Sequence, residues 1–138
     1  PGFFTIDMAK MVGDAGRVVA VDLQRKMLEK VKKKAGKYGL AKRIVPHRCA
    51  QDGLGLDNDI KADFILAFYM VHETPDPGQF LSEVRPLLND QGRFLIVEPR
   101  FHVSKNKFEK FAGYAVDAGF TTIDRPAGKG GRSLLLGT

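Results

Sequence analysis

Short apolar runs alternate with longer amphipathic stretches along these 138 residues, the pattern of a mainly parallel sheet covered by helices. Phe3 to Met11 predicts a helix ending near Gly13-Asp14-Ala15-Gly16, and Arg17 to Val21 predicts a strand. Leu28, Val31, Ala35 and Tyr38 fall on one face of a second helix, which stops at Gly39 because glycine suits the left-handed cap. Ile44 to His47 reads as the next strand. Phe64-Ile65-Leu66-Ala67 is a continuous apolar run, as expected of a strand buried on both faces. A helix follows from about Gly78 to Leu88, with Phe80, Leu81, Val84, Leu87 and Leu88 inward. Asn89-Asp90-Gln91-Gly92 then reads as a turn, and Arg93 to Glu98 as a strand stopped at Pro99. Phe108, Phe111, Ala112, Ala115 and Val116 mark a last helix closed by Gly119. Phe120 to Asp124 and Ser133 to Leu136 then form a terminal antiparallel hairpin.

A chain of this length holds one core, so a single domain spanning 1–138 is expected. No repeat, low-complexity tract or interdomain linker breaks it. The lone cysteine, Cys49, excludes an intrachain disulfide framework and a multi-cysteine metal site. It also fits a reducing compartment, and no metal-ligand spacing occurs anywhere. No apolar run approaches the length of a membrane span, and the localisation expected is cytoplasmic. The net charge of +6 favours anionic partners. Much of it sits on one helix, in Lys26, Lys30, Lys32, Lys33, Lys34 and Lys37, where a solvated amphipathic face explains it better than contact with RNA phosphates.

The candidate chemistry begins at the start of the chain. Pro1-Gly2-Phe3-Phe4-Thr5 reads as the second half of a glycine-rich loop running into a helix, and about twenty residues later Val18-Val19-Ala20-Val21-Asp22 is an apolar strand ending in a carboxylate. In a nucleotide-binding α/β unit the loop glycines allow close backbone approach, and the carboxylate accepts hydrogen bonds from ribose hydroxyls. The strand before that loop and the loop's first half are absent from this sequence.

In this order and spacing the motifs resemble class I S-adenosylmethionine-dependent methyltransferases, especially the small-molecule branch similar to ubiquinone and menaquinone biosynthesis enzymes. Gly2 matches the last glycine of the family's first motif, Asp22 the acidic residue after its second strand, and Gln51-Asp52 the acidic position after the third. The segment from Asp63 to Asp76 matches the fourth-strand motif and the loop behind it. Leu81 to Leu88 and Gly92 to Glu98 match the helix, turn and fifth strand. The resemblance implies a Rossmann-like, doubly wound, mainly parallel sheet with a C-terminal antiparallel hairpin and with its first strand missing. By that analogy the natural protein extends on the order of 30 residues or more ahead of Pro1. Two strand edges would otherwise stand open, and pairing through them as a homodimer is the expectation for the chain alone.

S-adenosylmethionine is the implied cofactor and a small molecule the implied methyl acceptor. Gly2 would lie near the methionine part, Asp22 would take both ribose hydroxyls, and Leu23 would pack on the adenine. Asp52 would accept from the adenine amino group, with the backbone of Gly53 or Leu54 beside it, and Phe68 would border the sulfonium. Three of these have a plain structural alternative: Asp22 as a helix cap, Asp52-Gly53 as an ordinary turn, Phe68 as core. His72, in the loop after the fourth strand, is the candidate general base, because its imidazole titrates near neutrality. Its alternative is a local structural role, since methyl transfer from a sulfonium needs little beyond in-line positioning. Tyr69, Met70 and Glu73 would line the same pocket, whereas His47 and His102 match no motif. Phe68-Tyr69-Met70-Val71 stands where enzymes methylating exocyclic base amines carry Asp/Asn-Pro-Pro-aromatic, which disfavours nucleic acid as acceptor. A nicotinamide-binding oxidoreductase and a noncatalytic module of the same fold remain as alternatives. The terminal hairpin and the missing Tyr-x-x-x-Lys pair weigh against the oxidoreductase.

Overall fold

A computed structural model describes residues 3–128 and 130–138. They group into two compact units, one reaching to Gly55 and the other running from Leu56 to Thr138.

In the first unit, helix α1 (Phe3–Met11) precedes strand β1 (Val18–Asp22), helix α2 (Arg25–Lys37) and strand β2 (Ile44–Arg48). β1 and β2 pair in parallel, with Val18 opposite Ile44 and Asp22 opposite Arg48. The core is small: Ile6 and Ala9 from α1, Val18 and Ala20 from β1, and Leu28, Val31 and Ala35 from α2, closed by Leu40 and Ile44. Alternation along β1 turns Val19 and Val21 outward, each more than a third exposed. α2 buries one stripe and leaves Lys26, Lys30, Lys32, Lys33 and Lys37 exposed, as its spacing predicts, while Lys34 is partly covered. Gly39 adopts φ +70, the left-handed conformation that ends the helix. Tyr38 departs from expectation: as the C-cap residue it has left the helical stripe and is half exposed.

The second unit holds strand β3 (Ala62–Phe68), helix α3 (Pro77–Val84), strand β4 (Leu88–Pro99), helix α4 (Lys105–Asp117), strand β5 (Thr121–Asp124) and strand β6 (Gly131–Gly137). The sheet order is β3-β4-β6-β5, with β3 parallel to β4 and the last two strands forming the expected antiparallel hairpin. Asp76 caps α3 by accepting from the Gln79 N–H at 3.0 Å, with Pro77 set for the first turn. Ser104 caps α4 by accepting from the Lys107 N–H at 3.1 Å. The core face of β4 and β6 is a row of fully buried residues, Phe94, Ile96, Leu134 and Leu136, with Leu81 and Phe111 supplied by the helices.

Four readings need adjustment here. The α-helix predicted to run to Leu88 ends at Val84 and tightens to a 3₁₀ turn over Arg85–Leu87, because Pro86 cannot donate to the helical ladder. Asn89–Gly92 is absorbed as an irregularity within β4: between the pairs Ala62–Leu88 and Phe64–Arg93, β4 carries three residues more than β3. β3 is not buried on both faces. It is the terminal strand of its sheet, where Ala67 is buried but Phe64 is 45% exposed. Val116, which helps mark the last helix in the sequence, is exposed on α4 and does not join the buried stripe of Phe108, Phe111, Ala112 and Ala115. Among the described residues no helix is long and apolar enough to cross a membrane.

Candidate active site

The site builds from the carboxyl ends of β3 and β4, the edge at which open α/β sheets receive ligands. Along β4 the inward phase runs Phe94, Ile96, Glu98, so the register that buries two apolar side chains also buries a carboxylate. Glu98 is 0% exposed. A charge so placed must be paired or hydrogen-bonded, and both its oxygens are engaged. Oε1 accepts from the Val71 N–H at 2.8 Å, and Oε2 is hydrogen-bonded to Nδ1 of His72. Burial pushes the Glu98 carboxyl above its ordinary range, and the hydrogen bonds from His72 and Val71 oppose that rise.

His72 lies in the 3₁₀ turn Val71–Glu73, with Val71 itself fully buried and fixing the turn against the sheet. The side chain is 16% exposed, and its Nε2 stands 3.9 Å from the exposed carboxylate of Glu73. The ring of His102 lies parallel to that of His72, with centroids 6.1 Å apart. Just before this turn, the Tyr69 N–H donates to the Val97 carbonyl at 2.8 Å while Tyr69 adopts φ +57. That conformation is uncommon for a bulky residue and clusters at functional sites. It folds the tyrosine ring onto Phe68, with centroids 4.0 Å apart and planes within 17°. Both rings are more than a third exposed, so Phe68 is a surface aromatic and not core.

The first unit carries the other predicted cofactor residues. Asp22 ends β1, and its Oδ1 accepts from the Gln24 N–H at 2.8 Å, ordering the entry to α2. Leu23 is 44% exposed and its carbonyl accepts from Nε of Arg48 at 3.2 Å. The Cys49 N–H donates to the Asp22 carbonyl, which extends the β1–β2 pairing by one step. Gln51-Asp52 forms the tip of a tight turn closed by Gly53, in which the Ala50 N–H donates to the Gly53 carbonyl at 3.0 Å. His47 bonds to the Leu54 carbonyl through Nε2 at 2.7 Å, a local role that fits its lack of any motif. Gly2 lies outside the described residues. No cluster of three or more His, Cys, Asp or Glu residues suited to a metal ion occurs among the described residues.

Sequence reasoning singled out His72 as a candidate but not the residues beside it. Glu98 carried a signal, namely a charge on the inward phase of an otherwise apolar alternation. Arg132 carries the same signal on β6, after Leu136 and Leu134. His102 had none, because its stacking on His72 joins positions 30 residues apart.

Comparison with solved structures defines the fold. The chain superposes on a SAM-dependent methyltransferase from Aquifex aeolicus with a TM-score of 0.83, at 24% identity, covering 98% of this chain and 76% of that one. Aeropyrum pernix fibrillarin, solved with natively bound S-adenosyl-L-methionine, gives a TM-score of 0.72 at 14% identity, covering 98% of this chain and 61% of that one. The fold is therefore the Rossmann-like fold of class I methyltransferases. A methyltransferase-domain family model matches residues 1–129, and the chain belongs to that family. The demethylmenaquinone methyltransferase of Lactobacillus johnsonii is 32% identical over 98 residues, a match that spans 70% of this chain and 39% of that protein.

Proposed function

We propose that this chain is an S-adenosylmethionine-dependent methyltransferase domain acting on a small-molecule acceptor with an ionisable hydroxyl, and that His72 is its general base. The observation that carries this reading is the buried Glu98 carboxylate hydrogen-bonded to Nδ1 of His72 at the carboxyl ends of β3 and β4.

The residues present fit the cofactor. Asp22 is acceptor-only, and with one oxygen engaged by Gln24 it has a second oxygen for ribose hydroxyls. Leu23 offers an exposed apolar side chain for the adenine, and the Asp52-Gly53 turn offers a carboxylate and backbone groups for its amino edge. Phe68, stacked with Tyr69, gives a π-face suited to a sulfonium, and Gly2 is assigned to the methionine part. When bound, S-adenosylmethionine supplies an electrophilic methyl group with a thioether as its leaving group.

The chain's own residues do the rest. Glu98 fixes His72 as the tautomer with hydrogen on Nδ1, which leaves the Nε2 lone pair to take the proton of the acceptor's hydroxyl. The same carboxylate stabilises the imidazolium that results. A small molecule as acceptor agrees with the Phe68-Tyr69-Met70-Val71 segment and with the name of the Lactobacillus johnsonii relative. The lone cysteine and the absence of a described spanning helix accord with a cytoplasmic setting.

The test is methyl transfer from methyl-labelled S-adenosylmethionine to a panel of hydroxylated aromatic compounds. The protein should label at least one of them, and His72→Ala should lower that rate by roughly 10²-fold or more. Labelling that His72→Ala leaves undiminished would remove the base from the account. No transfer to any of them would remove the activity.

A further inference from the structure

Arg132 and Arg100 are anchored in the same manner. Nε of Arg132 donates to the Val103 carbonyl at 3.1 Å, and Nε of Arg100 donates to the Gly131 carbonyl at 3.1 Å. Each guanidinium is thereby fixed by one edge. Among the described residues, the terminal nitrogens of both have no hydrogen-bond partner and no carboxylate within 4.0 Å. The pairing of β4 with β6 sets Arg132 directly opposite Glu98. Opposed residues of a pair share a face, so Arg132 lies on the face that holds the His72 contact.

Glu98 would be the natural counter-ion by register. Its oxygens are taken by Val71 and His72 instead, and it makes no ion pair with Arg132. Arg132 is only partly exposed. A half-buried guanidinium with its fork unpaired is unfavourable unless an anion completes it. The planar fork matches the two in-plane oxygens of a carboxylate or phosphate, and a second guanidinium anchored one residue away adds to the attraction.

We infer that Arg132, assisted by Arg100, binds an oxyanionic group on the methyl acceptor. This rests on the proposed methyltransferase reading and narrows its substrate to hydroxylated molecules bearing a carboxylate or a phosphate monoester. Arg132 would then set the orientation in which the acceptor's hydroxyl meets Nε2 of His72, which is a role in specificity and not in proton transfer.

The experiment is a nuclear magnetic resonance titration of the ¹⁵N-labelled protein at fixed ionic strength with benzoate, phenyl phosphate and, as the neutral control, benzamide. Saturable shifts of the Arg132 and Arg100 Nε–H signals are expected with benzoate or phenyl phosphate and none with benzamide. The tighter anion identifies the group. Arg132→Gln should weaken binding at least about tenfold. Arg132→Lys, which keeps the charge and loses the fork, and Arg100→Gln, at an exposed position, give the same reading if Arg132→Gln does not fold. Absent or unsaturable shifts, equal shifts with benzamide, or undiminished binding in the folded variants would overturn the inference. A parallel titration with S-adenosylhomocysteine separates the two claims. Cofactor binding without anion binding sinks only this inference, whereas anion binding without cofactor binding sinks the methyltransferase reading and leaves an anion site whose ligand is no methyl acceptor.

Discussion

Glu98 and His72, 26 residues apart in sequence, are joined through one carboxylate oxygen and Nδ1, while the other oxygen is closed by the Val71 N–H. The carboxylate is wholly buried and the imidazole nearly so. The backbone bond to Val71 fixes the loop that carries His72, and the side-chain bond fixes the ring. One inward-facing residue of β4 thus holds the candidate base in place and stands against its Nδ1, where it can select the tautomer.

The tautomer is the first expected outcome. With the imidazole neutral, ¹⁵N spectra should show His72 protonated at Nδ1 and bare at Nε2. Glu98→Met, which removes the acceptor, should abolish that preference. A wild-type His72 carrying its hydrogen on Nε2 would mean that Glu98 is the protonated partner, and the base assignment would fail.

Stability should register the burial of Glu98. Its carboxyl is raised above 4.5, chiefly by desolvation, so between that value and the raised one the folded state binds more protons than the unfolded chain. The stabilisation it confers is full below 4.5 and is lost as the pH rises through the folded value. Relative to Glu98→Gln, the wild-type unfolding free energy should therefore decline as the pH climbs from 4.5 toward the histidine range. Urea denaturation at stepped pH measures this, and a constant difference would contradict it.

Tyr69 should invert the usual ranking of alanine over glycine. At φ +57 a residue with a side chain costs about 1–2 kcal/mol, and the stack on Phe68 returns about 1 kcal/mol. Tyr69→Ala loses the stack and keeps the strain, whereas Tyr69→Gly loses both. The glycine variant should be the more stable of the two by about 1 kcal/mol in chemical denaturation. An alanine variant of equal or greater stability would refute the strained conformation.

Two phenylalanines on neighbouring strands should respond very differently to truncation. Phe94 is fully buried and packs on Phe120 with centroids 5.5 Å apart, so Phe94→Ala should cost about 3–5 kcal/mol. Phe64 is 45% exposed, and Phe64→Ala should cost under about 1 kcal/mol. Similar losses at both positions would show that β3 is covered on its Phe64 face after all.

Much of the fold was legible because periodicity reports which face of an element is covered. The stripe Leu28, Val31, Ala35 and the closing hairpin were read from spacing alone and recur in the structure. What spacing did not show was cover supplied from elsewhere: a run as apolar as Phe64 to Ala67 predicts burial on two faces, yet only Ala67 is buried. Pro86 was a readable stop signal that the apolar pattern through Leu87 and Leu88 outweighed. In the site, His72 was visible through its motif, whereas the Glu98 and His102 contacts that orient it depend on tertiary pairing, which one-dimensional spacing does not encode.

Calorimetric titration of S-adenosylhomocysteine into the protein and into Asp22→Ala decides whether this chain holds the methyl donor as proposed. Saturable binding by the wild type is expected, weakened at least about tenfold in the variant, because the carboxylate at the end of β1 receives charge-assisted hydrogen bonds from the ribose. No binding by the folded wild type, or equal binding by the two proteins, would contradict it.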